Sequence, residues 1–335
     1  MEGTTTPAEN GPLSVRADIG GRAGPPNALE RMAARRLADL SEETPLLPVV
    51  SRRRVPSNSR WRPTLRWPRA RPRTRPYARR SLHAQIKAWD ERTGGFPVIA
   101  EVKPASPSRG PIRPELAASG AAAELAVEYE RAGACGVSVL TEPRYFRGSY
   151  ENLLAVAHAT RLPLLMKDFL VHESQVDAAR VLGASNLLVV VGVTPLRRFA
   201  KLLRAADVEP LFEVHDLDQV KALAAFAKEG FPVKLVGVNN RDLRTMKVDL
   251  SISEELIPVV REVFGREVAV VSESGVLSRD DVEFVRSCGA DAALVGSCLV
   301  ESPSPGEKLK ELVRSQGPAP PSGRGMAAGG EFPVR

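Results

Sequence analysis

Pro97-Val98-Ile99-Ala100-Glu101-Val102-Lys103-Pro104-Ala105-Ser106-Pro107-Ser108-Arg109-Gly110-Pro111 holds a strand and the loop that ends it. Val98, Ile99, Ala100 and Val102 are apolar and partly β-branched, the composition of a buried strand. Pro104, Pro107, Gly110 and Pro111 cannot continue a ladder, so the strand stops beside them and a polar loop begins. Side chains alternate along a strand, which puts Glu101 and Lys103 on one face at its end. Two readings of that pair stay open: a salt bridge closing a layer of the core, or charged groups of a site.

Working outward, similar short apolar runs recur at Val98-Lys103, Gly136-Leu140, Leu164-Lys167, Asn186-Val191, Glu209-Val214, Leu235-Asn239, Val268-Ser272 and Ala292-Val295. Between them lie helix-like stretches such as Glu124-Ala132, Ser174-Leu182, Pro195-Ala205, Asp216-Ala227 and Arg279-Cys288. All-apolar strands alternating with helices imply parallel strands covered on both sides. Eight such units match a (β/α)8 TIM barrel, the expected α/β fold. A doubly wound open sheet is the alternative, but its Gly-rich turn after the first strand is replaced here by Pro and Ser. Ala132-Gly133-Ala134, Leu182-Gly183-Ala184 and Cys288-Gly289-Ala290 each place Gly where a helix would exit before a strand.

The 335 residues divide into four expected parts. Residues 1–50, rich in Gly, Pro, Thr and Ala, read as a disordered or targeting extension with a helix-like patch at Ala28-Leu40. Residues 51–80 form an Arg/Pro-rich tract with Trp61, Trp67 and Tyr77 interleaved. Residues 81–314 hold the catalytic barrel, with Ser81 capping a short helix up to Glu91. Residues 315–335 read as a disordered tail.

The net charge of +7 comes from one place. The tract at 51–80 has twelve Arg and no acid, and without it 35 basic residues face 40 acidic ones, a charge of −5. Arg with aromatics suits nucleic acid, an Arg-rich acid-poor segment suits organelle targeting, and a solvated linker suits neither; all three stay open. Seven acids against five Arg in residues 1–50 weigh against targeting, and the absence of an RNA-binding motif makes nucleic acid an unlooked-for partner. Cys135, Cys288 and Cys298 are odd in number and lack metal spacing, which points to a reducing compartment. The four histidines are scattered, and no run of about 18 apolar residues suggests a membrane span.

In a barrel of this kind reactive groups gather where strands end. Those ends carry Glu101, Lys103 and Ser106; then Ser138, Thr141 and Glu142; then Lys167 and Asp168; then Glu213 and His215; then Asn239 and Arg241; and Glu273. Lys103 and Lys167 with Glu101, Glu213 and Glu273 on one rim supply acids and bases, with a structural ion-pair network as the plainer account. His215 reads as a cap or rim residue, and Asp168, next to Lys167, as facing away from it. Ser274-Gly275 and Gly296-Ser297, at the last two strand ends, suit a phosphate held on backbone N–H groups, with ordinary turn chemistry as the alternative.

EVKPASPSRG (101–110), SVLTEPRYFRGSYENL (138–153), LLMKDFLVHESQVDAARVLGA (164–184), LFEVHD (211–216), GVNNRDLRTMKVDL (237–250), VSESGV (271–276) and ALVGSCLV (293–300) together resemble the indole-3-glycerol-phosphate synthase family of tryptophan biosynthesis, over roughly residues 82–313. The resemblance implies a (β/α)8 barrel with neither metal nor organic cofactor. It implies cyclisation of 1-(2-carboxyphenylamino)-1-deoxy-D-ribulose 5-phosphate to indole-3-glycerol phosphate, with loss of CO2 and water. By motif, Lys167 resembles the general acid of ring closure and Glu213 the carboxylate that acts as base on the arylamine or orients it. Glu101 and Lys103 match the first-strand pair, with Lys103 near the substrate carboxylate as an acid for dehydration. Asn239 and Arg241 match residues that hold substrate and orient the lysines, and Glu273 lies in the matching seventh-strand motif. Ser106, Ser274, Gly275, Gly296 and Ser297 match the anchoring shell, the last four as the phosphate cradle. Phe146, Phe169, Leu243 and Leu294 would wall the aromatic ring.

Two departures carry expectations. Pro104 and Ala105 stand where the family commonly has a more basic, flexible loop, so the first loop should be stiffer. The family's N-terminal helical cover has either Ala28-Leu40 or Ser81-Glu91 as its counterpart. Another phosphosugar barrel enzyme, or an inactive barrel whose Arg tract binds nucleic acid, are the competing functions. The expected partners are the small phosphosugar-anthranilate substrate and other tryptophan-pathway enzymes, with no membrane. The expected location is the cytoplasm, or the plastid stroma if residues 1–80 include a transit segment.

Overall fold

A computed structural model describes residues 27–42, 81–89, 95–242 and 245–314 of the chain. The Arg/Pro tract and the tail therefore lie outside the described residues, as does Leu243.

The chain begins, in the described part, with helix α1 (Ala28–Glu42), started by a reciprocal cap in which Asn27 N–H donates to Glu30 and Glu30 N–H donates to Asn27 Oδ1. This helix spans the helix-like patch expected at Ala28-Leu40. An apolar edge and a buried arginine give that stretch a surface to dock on, which composition alone did not show. Helix α2 (Leu82–Lys87) follows, capped by Ser81, whose side chain accepts from Ala84 N–H.

Eight parallel strands then close a barrel: β1 (Val98–Val102), β2 (Gly136–Leu140), β3 (Leu164–Lys167), β4 (Asn186–Val190), β5 (Glu209–Val214), β6 (Leu235–Asn239), β7 (Ala269–Glu273) and β8 (Ala292–Val295). Each pairs with its sequence neighbour, and β1 closes the ring on β8 through Val98↔Ala293 and its neighbours. This is the expected TIM barrel; the open-sheet alternative has no closing pair and is excluded. Between β1 and β8 run α3 (Ser119–Ala132), α4 (Tyr150–Ala159), α5 (Ser174–Val181), α6 (Leu196–Ala206), α7 (Leu217–Lys228), α8 (Ser251–Phe264) and α9 (Arg279–Ser287). α10 (Ser297–Glu301) and α11 (Pro305–Val313) follow β8.

The helix exits repeat one device. Gly133, Gly183 and Gly289 have φ of +95°, +91° and +98°, a conformation that side chains with a Cβ rarely adopt. After each, the next N–H reaches back five residues, from Ala134 to Tyr129, Ala184 to Ala179 and Ala290 to Val285. The chain leaves each helix in the same direction and enters the next strand.

Strand alternation sorts the residues into two cores. Val98, Ala100 and Val102, with Val137, Val139, Met166, Val189, Phe212, Val214, Val236 and Val270, face outward under the helices. Ile99, Leu165, Leu188, Leu211, Leu235, Ala269, Val271, Ala292 and Leu294 fill the barrel interior. Helix α2 plugs the end where the strands start: Leu82 is fully buried, and a Cβ on Gly136 would collide with it. Ser81 and Asn186 donate to Glu209 there, a polar seal on the floor. Among the described residues no helix is long and apolar enough to cross a membrane.

Candidate active site

The inward-facing series does not stay apolar. Following each strand toward its C-terminal end, Ile99 gives way to Glu101 and Lys103, Leu165 to Lys167, Leu211 to Glu213 and His215, Leu235 and Gly237 to Asn239, Val271 to Glu273, and Leu294 to Gly296. The alternation that packs the floor therefore delivers these charged groups to one rim. β7 runs to Glu273, one residue past the expected end, and pairs it with Asn239 on one side and Leu294 on the other.

These groups touch. Lys167 Nζ donates to Glu273 Oε2 at 2.9 Å and lies 3.6 Å from Glu101 Oε2. Lys103 Nζ stands 3.3 Å from Glu101 Oε1, and Ser138 Oγ donates to Glu101 Oε2. Glu213 Oε1 lies 3.1 Å from His215 Nε2. Two glycines make room: a Cβ on Gly237 would strike Glu273 Oε1, and one on Gly296 would stand 2.5 Å from Glu101 Oε1.

The electrostatics follow from that crowding. Burial raises Glu273 to about 7; Lys167 pulls it down, and Glu213 beside it offsets part of that pull. Burial would raise Glu213 too, but His215 and Lys167 hold it down to about 2. Burial likewise opposes ionisation of Glu101, and Lys103 and Lys167 outweigh it, keeping its carboxyl below the usual range. Burial disfavours the Lys167 ammonium, yet Glu273, Glu101 and Glu213 together raise it well above an ordinary lysine. Glu273 Oε1 and His215 Nε2 are buried with no aligned hydrogen-bond partner in the protein. Leaving such an atom unpaired costs about 1–3 kcal/mol.

The cavity above this cluster has a volume of about 370 Å3, the size of a small organic ligand. It is lined by Glu101, Lys103, Ser106, Phe146, Lys167, Phe169, Glu213, Asn239, Arg241, Ser274, Gly275, Leu294, Gly296 and Ser297, so fourteen of the residues singled out from sequence meet on one surface. Glu273 lies beneath, in contact through Lys167. Phe146 and Phe169 stand with ring centroids 6.3 Å apart on the apolar side. Glu142, buried, accepts the N–H groups of Arg144, Tyr145 and Phe146 and so sets the loop that presents Phe146. On the opposite side Ser274 and Gly275 both have positive φ, +65° and +92°, and a Cβ on Gly275 would meet Val248 at 2.8 Å. Arg241 N–H donates to Asn239 Oδ1, and its guanidinium donates to the Met246 carbonyl.

The Pro104 carbonyl anchors the first loop: Ile112 and Arg113 N–H both donate to it, at 2.9 and 3.0 Å. Ala105 and Ser106 then pair antiparallel with Pro111 and Gly110, folding the first loop back on itself. Arg109, at its tip, pairs with Glu301 of α10. The loop is thus tied at both ends.

Several site residues escaped the sequence reading. Leu29 and Met32 of α1 line the cavity mouth, and Arg36 of the same helix forms a two-pronged buried pair with Asp168 at 3.0 and 3.1 Å. Asp168 does face away from Lys167, toward Arg36 and Thr141. Their signal was faint, since α1 is separated from the barrel by the tract. Leu188 and Val190 add apolar wall from β4, an end that offers no polar group. His215, read as a rim residue, lines the cavity and faces Glu213.

Comparison with known proteins extends this picture. A family model described as indole-3-glycerol phosphate synthase matches residues 68–312. The chain is 40% identical over 224 residues to the indole-3-glycerol phosphate synthase of Carboxydothermus hydrogenoformans, covering 66% of this chain and 80% of that one. It is 40% identical over 226 residues to that of Aquifex aeolicus, covering 65% and 82%. The protein of the same name from Methanothermobacter marburgensis is 40% identical over 255 residues, covering 75% of this chain and 86% of its own length.

Proposed function

The chain belongs to the indole-3-glycerol phosphate synthase family, and from that premise we propose how its own side chains divide the reaction. The activity is that of a carboxy-lyase of tryptophan biosynthesis. It cyclises a carboxyphenylamino deoxyribulose phosphate to indole-3-glycerol phosphate, releasing CO2 and water.

The ring carbon that bears the carboxylate attacks the ketone. Electrons of the C=O bond move to oxygen, and Lys167 supplies the proton that oxygen needs. What supports Lys167 in this role is its ammonium, held between Glu273 and Glu101 at the mouth of the strand cluster. CO2 then leaves, and the electrons of its C–C bond restore the aromatic ring. The apolar wall of Phe146, Phe169, Leu188 and Leu294 suits that ring and keeps water from the carboxylate. The new hydroxyl departs as water on a proton from Lys103, pushed by the nitrogen lone pair, and Glu213 takes the proton released. Ser274, Gly275, Gly296 and Ser297 cradle the phosphate, with Ser106 beside it. That remote anchor holds the reacting carbons in register. Asn239 and Arg241 orient substrate and lysines.

Helix α1 is the cover of this site, since it brings two apolar side chains to the mouth. Residues 81–314 form the catalytic unit beneath it. The chain works in a reducing compartment, cytoplasm or plastid stroma, a reading supported by its free cysteines. Association with other tryptophan-pathway enzymes belongs to the same reading.

The observation that carries these roles is the contact of two lysines with buried glutamates under one cavity. The test follows indole fluorescence as the carboxyphenylamino substrate is consumed. Lys167→Ala is expected to lower kcat by roughly 100- to 10,000-fold, with the circular dichroism of the barrel retained. Turnover near that of the wild type would remove Lys167 from the mechanism.

A further inference from the structure

His215 closes β5 on the cavity side, and its surroundings dictate where its protons are. Its own backbone N–H donates to Gln219 Oε1 at 2.9 Å. The Gln219 amide is therefore oriented with oxygen toward His215, because the reverse orientation would set two donors face to face. The same oxygen lies 3.2 Å from His215 Nδ1, so Nδ1 carries a proton. The other ring nitrogen, Nε2, sits 3.1 Å from Glu213 Oε1, with both side chains only 4% exposed. A neutral ring protonated on Nδ1 would aim the Nε2 lone pair at a buried carboxylate. A ring protonated on both nitrogens places a positive charge there instead.

We propose that His215 is a positioning residue for the ring-closing reaction: a buried imidazolium, fixed by Gln219, that keeps Glu213 ionised and holds it in place under the cavity. The inference rests on Glu213 acting as the base. The other groups facing this pair are Glu273 of β7 and Lys167 of β3, with Arg241 beyond β6. Without His215, Glu213 would lie beside Glu273 with Lys167 already bound to the latter, and the proton would be drawn toward Glu213. Lys103 and Lys167 together leave one of Glu101, Glu213 and Glu273 without a counter-charge, and the imidazolium supplies it. Burial opposes charge on His215, and Glu213 reverses that, so the ring titrates above an ordinary histidine. Gln219 is in turn held by α7, whose cap Asp216 accepts the Gln219 N–H.

Two measurements on the full chain test this. The first is NMR titration of the imidazole Cε1–H signals, with His215 identified by its loss in His215→Asn. The expected result is a His215 midpoint above about 6.5, the ordinary value, that falls by at least one unit in Glu213→Gln. A midpoint at the ordinary value, or one indifferent to Glu213→Gln, would overturn the proposal, and the wild-type midpoint is read whether or not Glu213→Gln folds. The second is the pH profile of kcat. His215→Asn is expected to move the acidic limb up by about one unit, a roughly tenfold loss below the limb, with KM changed less than about twofold. An unmoved limb would equally overturn it. The two levels of the argument separate cleanly: an active Glu213→Gln enzyme removes the base assignment itself, whereas an inactive Glu213→Gln beside an unmoved His215→Asn profile removes only the role of His215.

Discussion

Replacing Arg36 with Ala should detach the cover of the site without unfolding the barrel. Arg36 is 3% exposed and Asp168 is wholly buried, and the two are joined by a pair of parallel hydrogen bonds. Breaking a buried pair from one side costs about 3–5 kcal/mol, because the remaining charge is left without its partner. The lower end applies here. Asp168 keeps the Thr141 hydroxyl and the Phe169 N–H, and burial already raises its carboxyl toward protonation. The rest of the helix contributes Leu29 and Met32, each worth about 2 kcal/mol at full burial. Losing about 3 kcal/mol would lower the ratio of docked to undocked α1 by about two orders of magnitude. Two assays read this. Trypsin should cut α1 at Arg31 and Arg35, which are exposed, far faster in Arg36→Ala than in the wild type. Turnover of the carboxyphenylamino substrate should show a lower kcat/KM, since Leu29 and Met32 leave the cavity mouth. Arg35→Ala serves as the control: its ion pair with Asp39 is 44% exposed on the arginine side and is worth less than about 1 kcal/mol. Wild-type protease resistance and kcat/KM in Arg36→Ala would refute the reasoning that this pair holds the cover down.

Glu273 has a folded-state carboxyl raised to about 7, so its proton stabilises the fold at low pH and that contribution is lost as pH rises from the unfolded value of 4.5 through 7. Glu273→Gln, which cannot ionise, should therefore gain in Tm relative to the wild type as the pH of a thermal melt goes from 5 to 8; a constant difference would contradict the assignment. Glu213 behaves in the opposite sense: its lowered carboxyl stabilises above 4.5 and that contribution is lost as pH falls toward 2, so Glu213→Gln should flatten the acid side of the same melt series. Gly296→Ala would put a methyl against Glu101 Oε1 in the proposed phosphate cradle, and KM should rise; a KM at the wild-type value would take Gly296 out of the proposed anchoring shell. Gly237→Ala would strike Glu273 and should cost about 1–3 kcal/mol in urea unfolding, with no loss meaning that β6 can yield there.

The division between sequence and tertiary structure runs along the rim of the barrel. The repeat of apolar runs, the glycines at 133, 183 and 289, and the Glu101/Lys103 spacing are local features. A strand's period and a helix's exit are written in neighbouring residues, so eight β/α units and the charged strand ends could be read directly. The same alternation that buries Ile99 forecasts that Glu101 and Lys103 share a face. What sequence alone could not decide is which distant ends meet, because that depends on barrel closure. Lys167 finds Glu273, 106 residues away, and Arg36 finds Asp168 across 132. Helix α1 could be named from sequence as one of two candidate covers, but its contacts could not, because its partners lie beyond the Arg/Pro tract and nothing in its own fifteen residues names them. His215 shows the point on a smaller scale. Its place two residues after Glu213 is plain from sequence, but the charge we propose for it depends on Gln219, Glu213 and Glu273 together. Proton positions in a buried cluster are set by all of its neighbours at once, and those neighbours are assembled only by the fold.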